Sequence, residues 1–403
     1  MIVNFIKEGK WAKMNRVNEL IKEYCPDGVE IRCLEDCCNL LDKKRKPITK
    51  AAREAGEYPY YGANGIQDYV ANYIFDGTFV LVGEDGSVIT KSGTPVVTWA
   101  EGKIWVNNHA HIIEEKDGVM LRYLYHYLQT IDVTSLIHGN IPKLTGGDFK
   151  ALKIAVPPLE VQREIVRVLD SFTLLTAELT AELTARKKQY EFYRDKLLTF
   201  GNDTLECRLK DICDIFLGLT ATPNYTDAGV KFISAQNTSN DFLDLSNVKY
   251  ISETDFESTT SNAKPQRGDL LFTRVGSNLG HPVIVETDEK LCIFVSLGYL
   301  RVRNKKQVVI GYLKHWMNTD LFWSQVRKNV HGAAKVNLNT GWLKEFRISL
   351  PPLETQERIV HVLDNFEAIC TDLNIGLPAE IEARQKQYEY YRDKLLSFKE
   401  LPK

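Results

Sequence analysis

The stretch Pro157–Phe172, PPLEVQREIVRVLDSF, recurs downstream as Pro351–Phe366, PPLETQERIVHVLDNF, with eleven of sixteen positions identical. A second stretch, Gln189–Phe200 (QYEFYRDKLLTF), recurs as Gln387–Phe398 (QYEYYRDKLLSF), with ten of twelve positions identical. Two such matches in the same order indicate a duplicated structural unit. The sequences between the matches share little. The chain is therefore organised as variable block, helix, variable block, helix.

The repeated stretches are predicted to form long helices. Paired prolines suit the turn before a helix but not its interior. Apolar residues then recur at alternating spacings of four and three, which is typical of a coiled coil. In the second copy this spacing is interrupted near Gly376 and Pro378, where we expect a break or kink. The residues expected to form helix–helix or partner interfaces are Ile165, Leu169, Phe172, Leu179, Leu183, Tyr190, Tyr193, Leu197, Ile359, Leu363, Phe366, Tyr388, Tyr391 and Leu395.

The apolar seam of each helix needs a partner, and the best-matched partner is the other copy. We therefore predict an antiparallel two-helix coiled coil and a pseudo-twofold repeat; the alternative is that each helix packs only on its own block. About forty residues of helix span roughly 60 Å, and one turn of DNA is about 34 Å. The pair could thus be a spacer between two blocks that address separate DNA segments. The tandem tetrapeptide at 176–183, TAELTAEL, lies in the first helix, where one further copy would add about 6 Å.

The composition is that of an ordinary globular protein of two or three domains, with 403 residues, 44% hydrophobic, 26% charged and a net charge of −2. This charge counts against a simple nucleic-acid binder but allows a locally basic surface. No apolar stretch has the length of a signal peptide core or a membrane helix, so we expect a cytoplasmic protein. The eight cysteines contain no C-x-x-C pair. Free thiols are expected, with a zinc site at Cys33, Cys37 and Cys38 as the alternative.

Motifs for catalysis are missing from the sequence. It has no phosphate-binding G-x-x-x-x-G-K-[ST] loop and no Asn/Asp-Pro-Pro-aromatic motif of aminomethyltransferases. A metal-dependent nuclease could use Asp269, Asp288 and Lys290, and a metal pair could use His109 and His111, but both spacings are common by chance. Three classes therefore compete: a DNA-recognition scaffold, a self-contained enzyme such as a nuclease, and a coiled-coil scaffold that binds only protein.

The two copies of PPLExQ…IVxVLDxF followed by QYEYYRDKLL resemble the conserved regions of type I restriction-modification specificity subunits. The TAEL unit resembles a spacer repeat of one branch of that family. Residues 1–13 depart from the resemblance, so Met14 is an alternative start. The resemblance implies an α/β fold of two globular target recognition domains joined by the helix pair. The expected domains are an N-terminal helical segment at 1–28, target recognition domain 1 at 29–156, helical spacer 1 at 157–200, target recognition domain 2 at 201–349 and helical spacer 2 at 350–403.

The resemblance also implies a function. Each recognition domain would read one half of a bipartite, asymmetric site in double-stranded DNA. The chain itself would be non-catalytic, with no cofactor or metal. Its partners would be two modification (methyltransferase) subunits that methylate adenine, and restriction subunits that translocate and cleave DNA using ATP. S-adenosylmethionine, ATP and Mg are expected on those partner subunits.

Candidates for DNA contact are polar residues in predicted turns and glycine-rich loops. Asn and Gln can pair with adenine and Arg or Lys with guanine, while Ser hydroxyls and loop amides suit phosphate. Each residue could instead serve turn geometry or a buried hydrogen bond. The expected DNA-binding residues are Tyr61, Asn64, Ser87, Asn107, Asn108, Lys143, Gln236, Asn237, Arg274, Ser277, Asn278, His331 and Lys335.

Overall fold

The protein mixes helices and sheets in two compact units. The structure is a computed structural model that describes residues 15–201, 204–259, 261–276, 278–329 and 337–402. The first unit combines residues up to Glu178 with Ile381 and the residues after it, and the second is Leu179–Glu380. Within the described ranges, no helix is long and apolar enough to cross a membrane.

The first unit is built on a six-stranded sheet with the order β2-β7-β5-β6-β3-β4. Its strand pairs are antiparallel except for β3 with β6. A helix covers residues 15–24 (α1). The remaining elements of this unit are β1 (Glu30–Cys33), α2 (Leu34–Cys37), β2 (Asn39–Leu40), β3 (Ala55–Gly62), β4 (Gly65–Val70), β5 (Phe75–Gly83), β6 (Val97–Val106), β7 (Ala110–Glu114), α3 (Leu121–Leu128), β8 (Ile137–His138), β9 (Lys143–Leu144), α4 (Gly146–Ala151) and β10 (Lys153–Val156).

The second unit has two smaller sheets, with the orders β12-β18-β15-β16 and β14-β13-β17. Only β13 and β17 pair in parallel in these sheets. The elements are β11 (Leu205–Arg208), α6 (Leu209–Ile212), β12 (Cys213–Leu217), β13 (Val230–Ile233), β14 (Lys249–Ile251), α7 (Glu253–Ser258), β15 (Leu270–Thr273), β16 (Pro282–Ile284), β17 (Leu291–Ile293), β18 (Leu297–Val302), α8 (Ile310–Met317), α9 (Asp320–Asn329), α10 (Thr340–Glu345) and β19 (Arg347–Leu350).

The repeated sequences form three helices: α5 (Leu159–Leu197), α11 (Leu353–Thr371) and α12 (Leu377–Leu395). The first copy is one uninterrupted helix of 39 residues. The second copy is broken after Thr371, at the predicted position. Gly376 donates its N–H to the carbonyl of Asp372 at 3.0 Å. A Cβ on Gly376 would lie 2.6 Å from that same oxygen, so the break requires glycine.

The two units share a frame around the start of their repeated helix. An antiparallel strand pair precedes the helix in each unit, β1 with β10 and β11 with β19. Gln162 is fully buried; its Nε2 donates to the carbonyls of Pro157 and Gly118, and its Oε1 accepts the N–H of Met120. The repeat-equivalent Gln356 makes the same three kinds of bond in the second unit. The repeated sequence P-P-L-E-x-Q thus forms the same local structure in both units.

Within each unit, residues from both sequence copies pack on each other. In the first unit Phe172 stacks on Tyr391, with ring centroids 5.3 Å apart. In the second unit the equivalent pair, Phe366 and Tyr193, stacks at 5.8 Å. The alternative in which each repeated helix packs only on its own block therefore does not hold.

The residues of the expected helix–helix interface differ in burial. Seven of its residues are buried: Ile165, Leu169, Phe172, Ile359, Leu363, Tyr388 and Leu395. Six are half-buried: Leu179, Leu183, Tyr190, Leu197, Phe366 and Tyr391. Tyr193 is 37% exposed despite its stacking contact.

Candidate nucleic-acid interface

Four loops of the first unit meet in a cleft of about 510 Å³. They are the β3–β4 turn, the loop after β5, the β6–β7 loop and the β8–β9 hairpin. Gly65 has a φ of +86°, which lets the β3–β4 turn reverse tightly. The polar and apolar side chains that line the cleft include Asn64, Gln67, Ser87, His109, Ile141 and Lys143.

Backbone hydrogen bonds tie these loops together. The N–H of Gly86 donates to the carbonyl of Pro142 at 2.9 Å, which fixes the β8–β9 hairpin to the loop after β5. Glu84 donates its N–H to the carbonyl of His109 at 2.8 Å, and its own carbonyl accepts the N–H of Leu144 at 2.9 Å. The cleft is therefore a pre-organised surface carried on a rigid sheet.

Most charged groups in and beneath the cleft are paired. The Lys143 ammonium lies 3.3 Å from a carboxylate oxygen of Glu84, and the His109 ring bonds to Asp85. Arg45 points inward, with Nη1 2.6 Å from Glu84. The sequence run of basic residues at 43–46 thus supplies a structural cation as well as surface charge.

Beneath the cleft, Nδ1 of the buried His111 lies 2.7 Å from the Asp42 carboxylate. Burial acts to raise the pKa of Asp42, but the hydrogen bond with His111 and the neighbouring positive charges outweigh it, so the pKa lies below its ordinary value. A charged Asp42 therefore anchors the first residues of β7, directly after the β6–β7 loop.

The structure brings several predicted DNA-contact residues to this surface. Asn64, Ser87 and Lys143 line the cleft, and Asn108 is exposed on the β6–β7 loop. Tyr61 and Asn107 are buried, at 7% and 2% exposure. The side chain of Asn107 accepts the N–H of His109 at 2.8 Å and donates to Gln67 at 3.3 Å. Tyr61 and Asn107 thus hold the loops and offer DNA little surface.

In the second unit Arg274 acts as a loop clamp. Its guanidinium donates to the carbonyls of Val295 and Leu338, at 3.2 and 3.3 Å. Asn278 lies nearby and donates to the carbonyl of Ser239 at 3.5 Å. Arg274 thus joins the loop after β15 to the segments before β18 and α10, and Asn278 joins it to the segment between β13 and β14.

Gln236 and Asn237 lie on one short helical turn of the second unit but face different surroundings. Gln236 is exposed. Asn237 is 9% exposed, and its amide donates to the carbonyls of Asp244 and Asn247 while its oxygen accepts the N–H of Ser234. The predicted residues Ser277, His331 and Lys335 lie outside the described residues.

Six of the residues that line the cleft were not among the predicted DNA contacts: Ala63, Gln67, Asp85, Gly86, His109 and Ile141. Gln67 sits in β4, where nothing in the sequence marks it as facing a cleft. Ile141 is 69% exposed at the tip of the β8–β9 hairpin. An apolar residue between Gly139-Asn140 and Pro142 was the available signal, because an exposed isoleucine in a polar turn has no role in the core.

The alternative metal and nuclease sites do not assemble among the described residues. Asp269 pairs with Arg301, Asp288 with Arg267 and Lys290 with Glu253, so the three nuclease candidates have separate partners. His109 and His111 bond to different aspartates, Asp85 and Asp42.

Two groups of potential metal ligands do cluster among the described residues, and each already holds a cation. In the first group Asp42 and Glu84 pair with Arg45, and Nδ1 of His111 lies 3.7 Å from Glu84. In the second group Glu367 pairs with Lys314, whose ammonium lies 2.5 Å from the carboxylate, and His315 bonds to Asp364. A side-chain cation in each group supplies the positive charge that a metal would bring.

Two thiols of the cysteine cluster, Cys37 and Cys38, are buried and hydrogen-bonded. Cys37 and Cys38 donate to the backbone carbonyls of Cys33 and Leu34. Burial raises the pKa of Cys37 to about 11 and that of Cys38 to about 12. Cys33, Cys37 and Cys38, all among the described residues, do not bring their sulfur atoms close enough together to ligate one metal ion, which favours the free-thiol prediction over the zinc site.

The comparisons with known proteins agree with this architecture. The family model described as type I restriction modification DNA specificity domain matches residues 26–186 and 202–383. The chain therefore belongs to the type I restriction-modification DNA specificity family, as its repeats suggested.

Two curated relatives illustrate the likeness. A putative type I restriction enzyme specificity subunit of Haemophilus influenzae is 35% identical over 384 residues, covering 92% of this chain and 96% of the relative. The EcoR124I/EcoR124II specificity subunit of Escherichia coli is 31% identical over 299 residues, covering 70% of this chain and 72% of the relative.

Solved structures share the fold. The type I restriction-modification S subunit from M. genitalium superposes with a TM-score of 0.54 at 14% identity, covering 91% of this chain and 96% of that one. A chain from a study of assembly and conformational transition of the type I system gives a TM-score of 0.56 at 16% identity, covering 92% and 97%.

Proposed function

We propose that this chain is the sequence-specific DNA-binding subunit of a type I restriction-modification complex, which recognises a bipartite, asymmetric site. The observation that carries the proposal is one frame built twice with unlike loops. The buried glutamines Gln162 and Gln356 make matching bonds, whereas the sheets that follow differ in strand number and order. Two recognition domains that differ from each other but share the same repeated structure would fit a DNA site whose two halves differ in sequence.

A pseudo-twofold arrangement is supported by a hydrogen-bond network around a buried histidine, which occurs once in each unit. In the first unit His126 bonds to Asp170 and to the hydroxyl of Tyr388, both at 2.9 Å. In the second unit His315 bonds to Asp364 at 2.8 Å and to the hydroxyl of Tyr190 at 3.0 Å. Each network takes its tyrosine from the other sequence copy. This exchange is what two copies related by a twofold axis would produce.

The repeated helices are proposed to form the antiparallel coiled-coil spacer between the recognition domains. The 39 residues of α5 measure about 58 Å at 1.5 Å per residue. The TAEL tetrapeptides lie in its middle, where Leu179 and Leu183 are half-buried and their neighbours are exposed. Helix length there would set the gap between the half-sites.

The proposed DNA contacts are a reduced form of the predicted set. In the first unit they are Asn64, Ser87, Asn108 and Lys143; in the second they are Gln236 and Asn278. We leave out Tyr61 because it is buried, Asn107 and Asn237 because they are buried and bonded to their own loops, and Arg274 because its guanidinium is bonded to two loop carbonyls. Ser277, His331 and Lys335 remain sequence predictions.

The proposed partners are two modification subunits and the restriction subunits, with S-adenosylmethionine, ATP and Mg on those partners. An exposed stripe of lysine, aromatic and lysine at helical spacing supports two equal docking sites. It consists of Lys188, Phe192 and Lys196 in the first copy and recurs as Lys386, Tyr390 and Lys394 in the second. Phe192 and Tyr390 are 60% and 61% exposed. The ammonium of Lys196 lies under 6 Å from the Phe192 ring, and that of Lys394 lies under 6 Å from the Tyr390 ring. Under this proposal the chain itself does no chemistry.

Genome-wide mapping of adenine methylation in the host, with and without this gene, tests the proposal. A bipartite motif that is methylated in the parent and unmethylated in the deletion strain is the expected result. An unchanged set of methylated motifs would contradict it. Purified chain alone should neither cut nor methylate DNA, and either activity would favour the self-contained enzyme instead.

A further inference from the structure

We infer that the first-unit cleft reads an A·T base pair in the major groove, with the amides of Gln67 and Asn64 on adenine and Ile141 on the thymine methyl group. The inference rests on the proposed DNA-binding function and adds the residues that read one A·T pair of this half-site.

The cleft offers little to guanine. Guanine presents two acceptors in the major groove and is usually read by a free arginine or lysine. The one lysine in the cleft, Lys143, is held 3.3 Å from Glu84, and His109 is bonded to Asp85. Reading guanine would require these pairs to separate and would leave a carboxylate facing the DNA.

The amides are the available polar groups. Asn64 is exposed at the β3–β4 turn, and its side chain has no hydrogen bond to any described residue. Gln67 is also exposed, and its Oε1 accepts one bond from Asn107 while Nε2 stays available. Asn107 is fixed in turn by the N–H of His109. Adenine presents the acceptor N7 and the donor N6–H₂ in the major groove. Nε2 of Gln67 would donate to N7, Oδ1 of Asn64 would accept from the N6 amino group, and Asn107 would be the positioning residue for Gln67.

Ile141 supplies the apolar contact for the thymine of the proposed A·T pair. Ile141 is 69% exposed beside these amides, on a hairpin tethered by the 2.9 Å bond from Gly86 to Pro142. The C5 methyl of thymine is the apolar feature of the major groove, and an aliphatic side chain can cover it. An amide next to an exposed isoleucine therefore matches the two edges of one A·T pair.

The test uses the assembled complex of this chain with its modification subunits and duplexes carrying the motif mapped in the host. Each thymine of the motif is replaced in turn by deoxyuracil, which removes only the methyl group. We expect one replacement, in one half-site, to weaken binding about fourfold, the effect of uncovering one methyl group. For Ile141→Ala, that same replacement should have no effect.

Ile66→Ala is the matched control. Ile66 is 47% exposed on β4, the strand that carries Gln67, but it does not line the cleft. This variant should keep the fourfold sensitivity. At the same base pair, 7-deazaadenine, which lacks N7, should weaken binding by the wild type but not by Gln67→Ala.

Two results would overturn the inference while leaving DNA recognition intact: specific binding with no deoxyuracil-sensitive thymine in the motif, or undiminished sensitivity in Ile141→Ala. Loss of all sequence-specific binding and methylation in the wild-type complex would instead overturn the proposed function on which the inference rests.

Discussion

Replacing the buried glutamine of the second unit, Gln356→Ala, should destabilise that unit by about 3 kcal/mol. Gln356 is fully buried and makes three hydrogen bonds, to the carbonyls of Pro351 and Gln307 at 2.9 Å and from the N–H of Val309 at 3.0 Å. A typical hydrogen bond contributes about 1 kcal/mol, and the partners left behind are buried without replacements. The sum corresponds to a roughly 150-fold larger population of the open state.

Hydrogen–deuterium exchange read by mass spectrometry suits this test, because peptides report on each unit separately. Core strands β15 and β18 should lose about 3 kcal/mol of protection in Gln356→Ala, whereas β5 and β6 of the first unit should be unchanged. Gln162→Ala should give the reverse pattern.

The matched control is Gln385→Ala. Gln385 is exposed and bonds only to Glu389 among the contacts of the described chain, at 3.0 Å, so its loss should cost less than about 0.5 kcal/mol. If both Gln162→Ala and Gln356→Ala lose less than about 1 kcal/mol of protection against exchange, the glutamines do not stabilise the repeated local structure as argued.

Three further outcomes are expected. Burial raises the pKa values of Asp170 and Asp364, but the histidine hydrogen bonds and positive neighbours outweigh it, so both pKa values lie below the ordinary 3.8. A depressed carboxyl pKa stabilises the folded state at pH values above the pKa of the unfolded state. The Asp170 side chain is 39% exposed, so solvent screens its ion pairs and Asp170→Asn should cost only about 0.5–1 kcal/mol at neutral pH. This difference should shrink as the pH falls below 3.8; a pH-independent difference in denaturant titrations would contradict the prediction. Phe192→Ala and Tyr390→Ala should each remove one of two modification subunits in native mass spectra, and the double variant both. Leu174→Ala, 62% exposed but with alanine at its repeat-equivalent position, should remove neither.

The sequence predicted the features that depend on local spacing. The heptad pattern and the paired prolines identified α5, and Gly376 with Pro378 located the break between α11 and α12, because both follow from residues close together in the chain. The family and the duplicated plan followed from the repeats themselves.

The cleft could be predicted only in part. Asn64, Ser87 and Lys143 were chosen as turn residues, but their meeting in one cleft depends on the bond between Gly86 and Pro142, which are 56 positions apart (142 − 86). Sequence patterns do not carry such pairings between loops.

Some side chains predicted to contact DNA bond instead to the protein's own loops, and this has a second cause. Asn107 and Asn237 have the right chemistry for DNA contact, yet the same amides satisfy loop backbones. Arg274 likewise clamps two carbonyls. Residue type alone does not distinguish a side chain that binds DNA from one that shapes the loop.

The length of the repeated helix offers the most direct test of the central claim, that a duplicated helical spacer separates two unlike DNA readers. A third TAEL copy inserted after Leu183 would lengthen α5 by about 6 Å, or about one to two base pairs at roughly 3.4 Å each. Methylation mapping of a host carrying this variant should show both half-site sequences unchanged and the gap between them longer. Continued methylation with the original gap, or altered half-site sequences, would contradict the account.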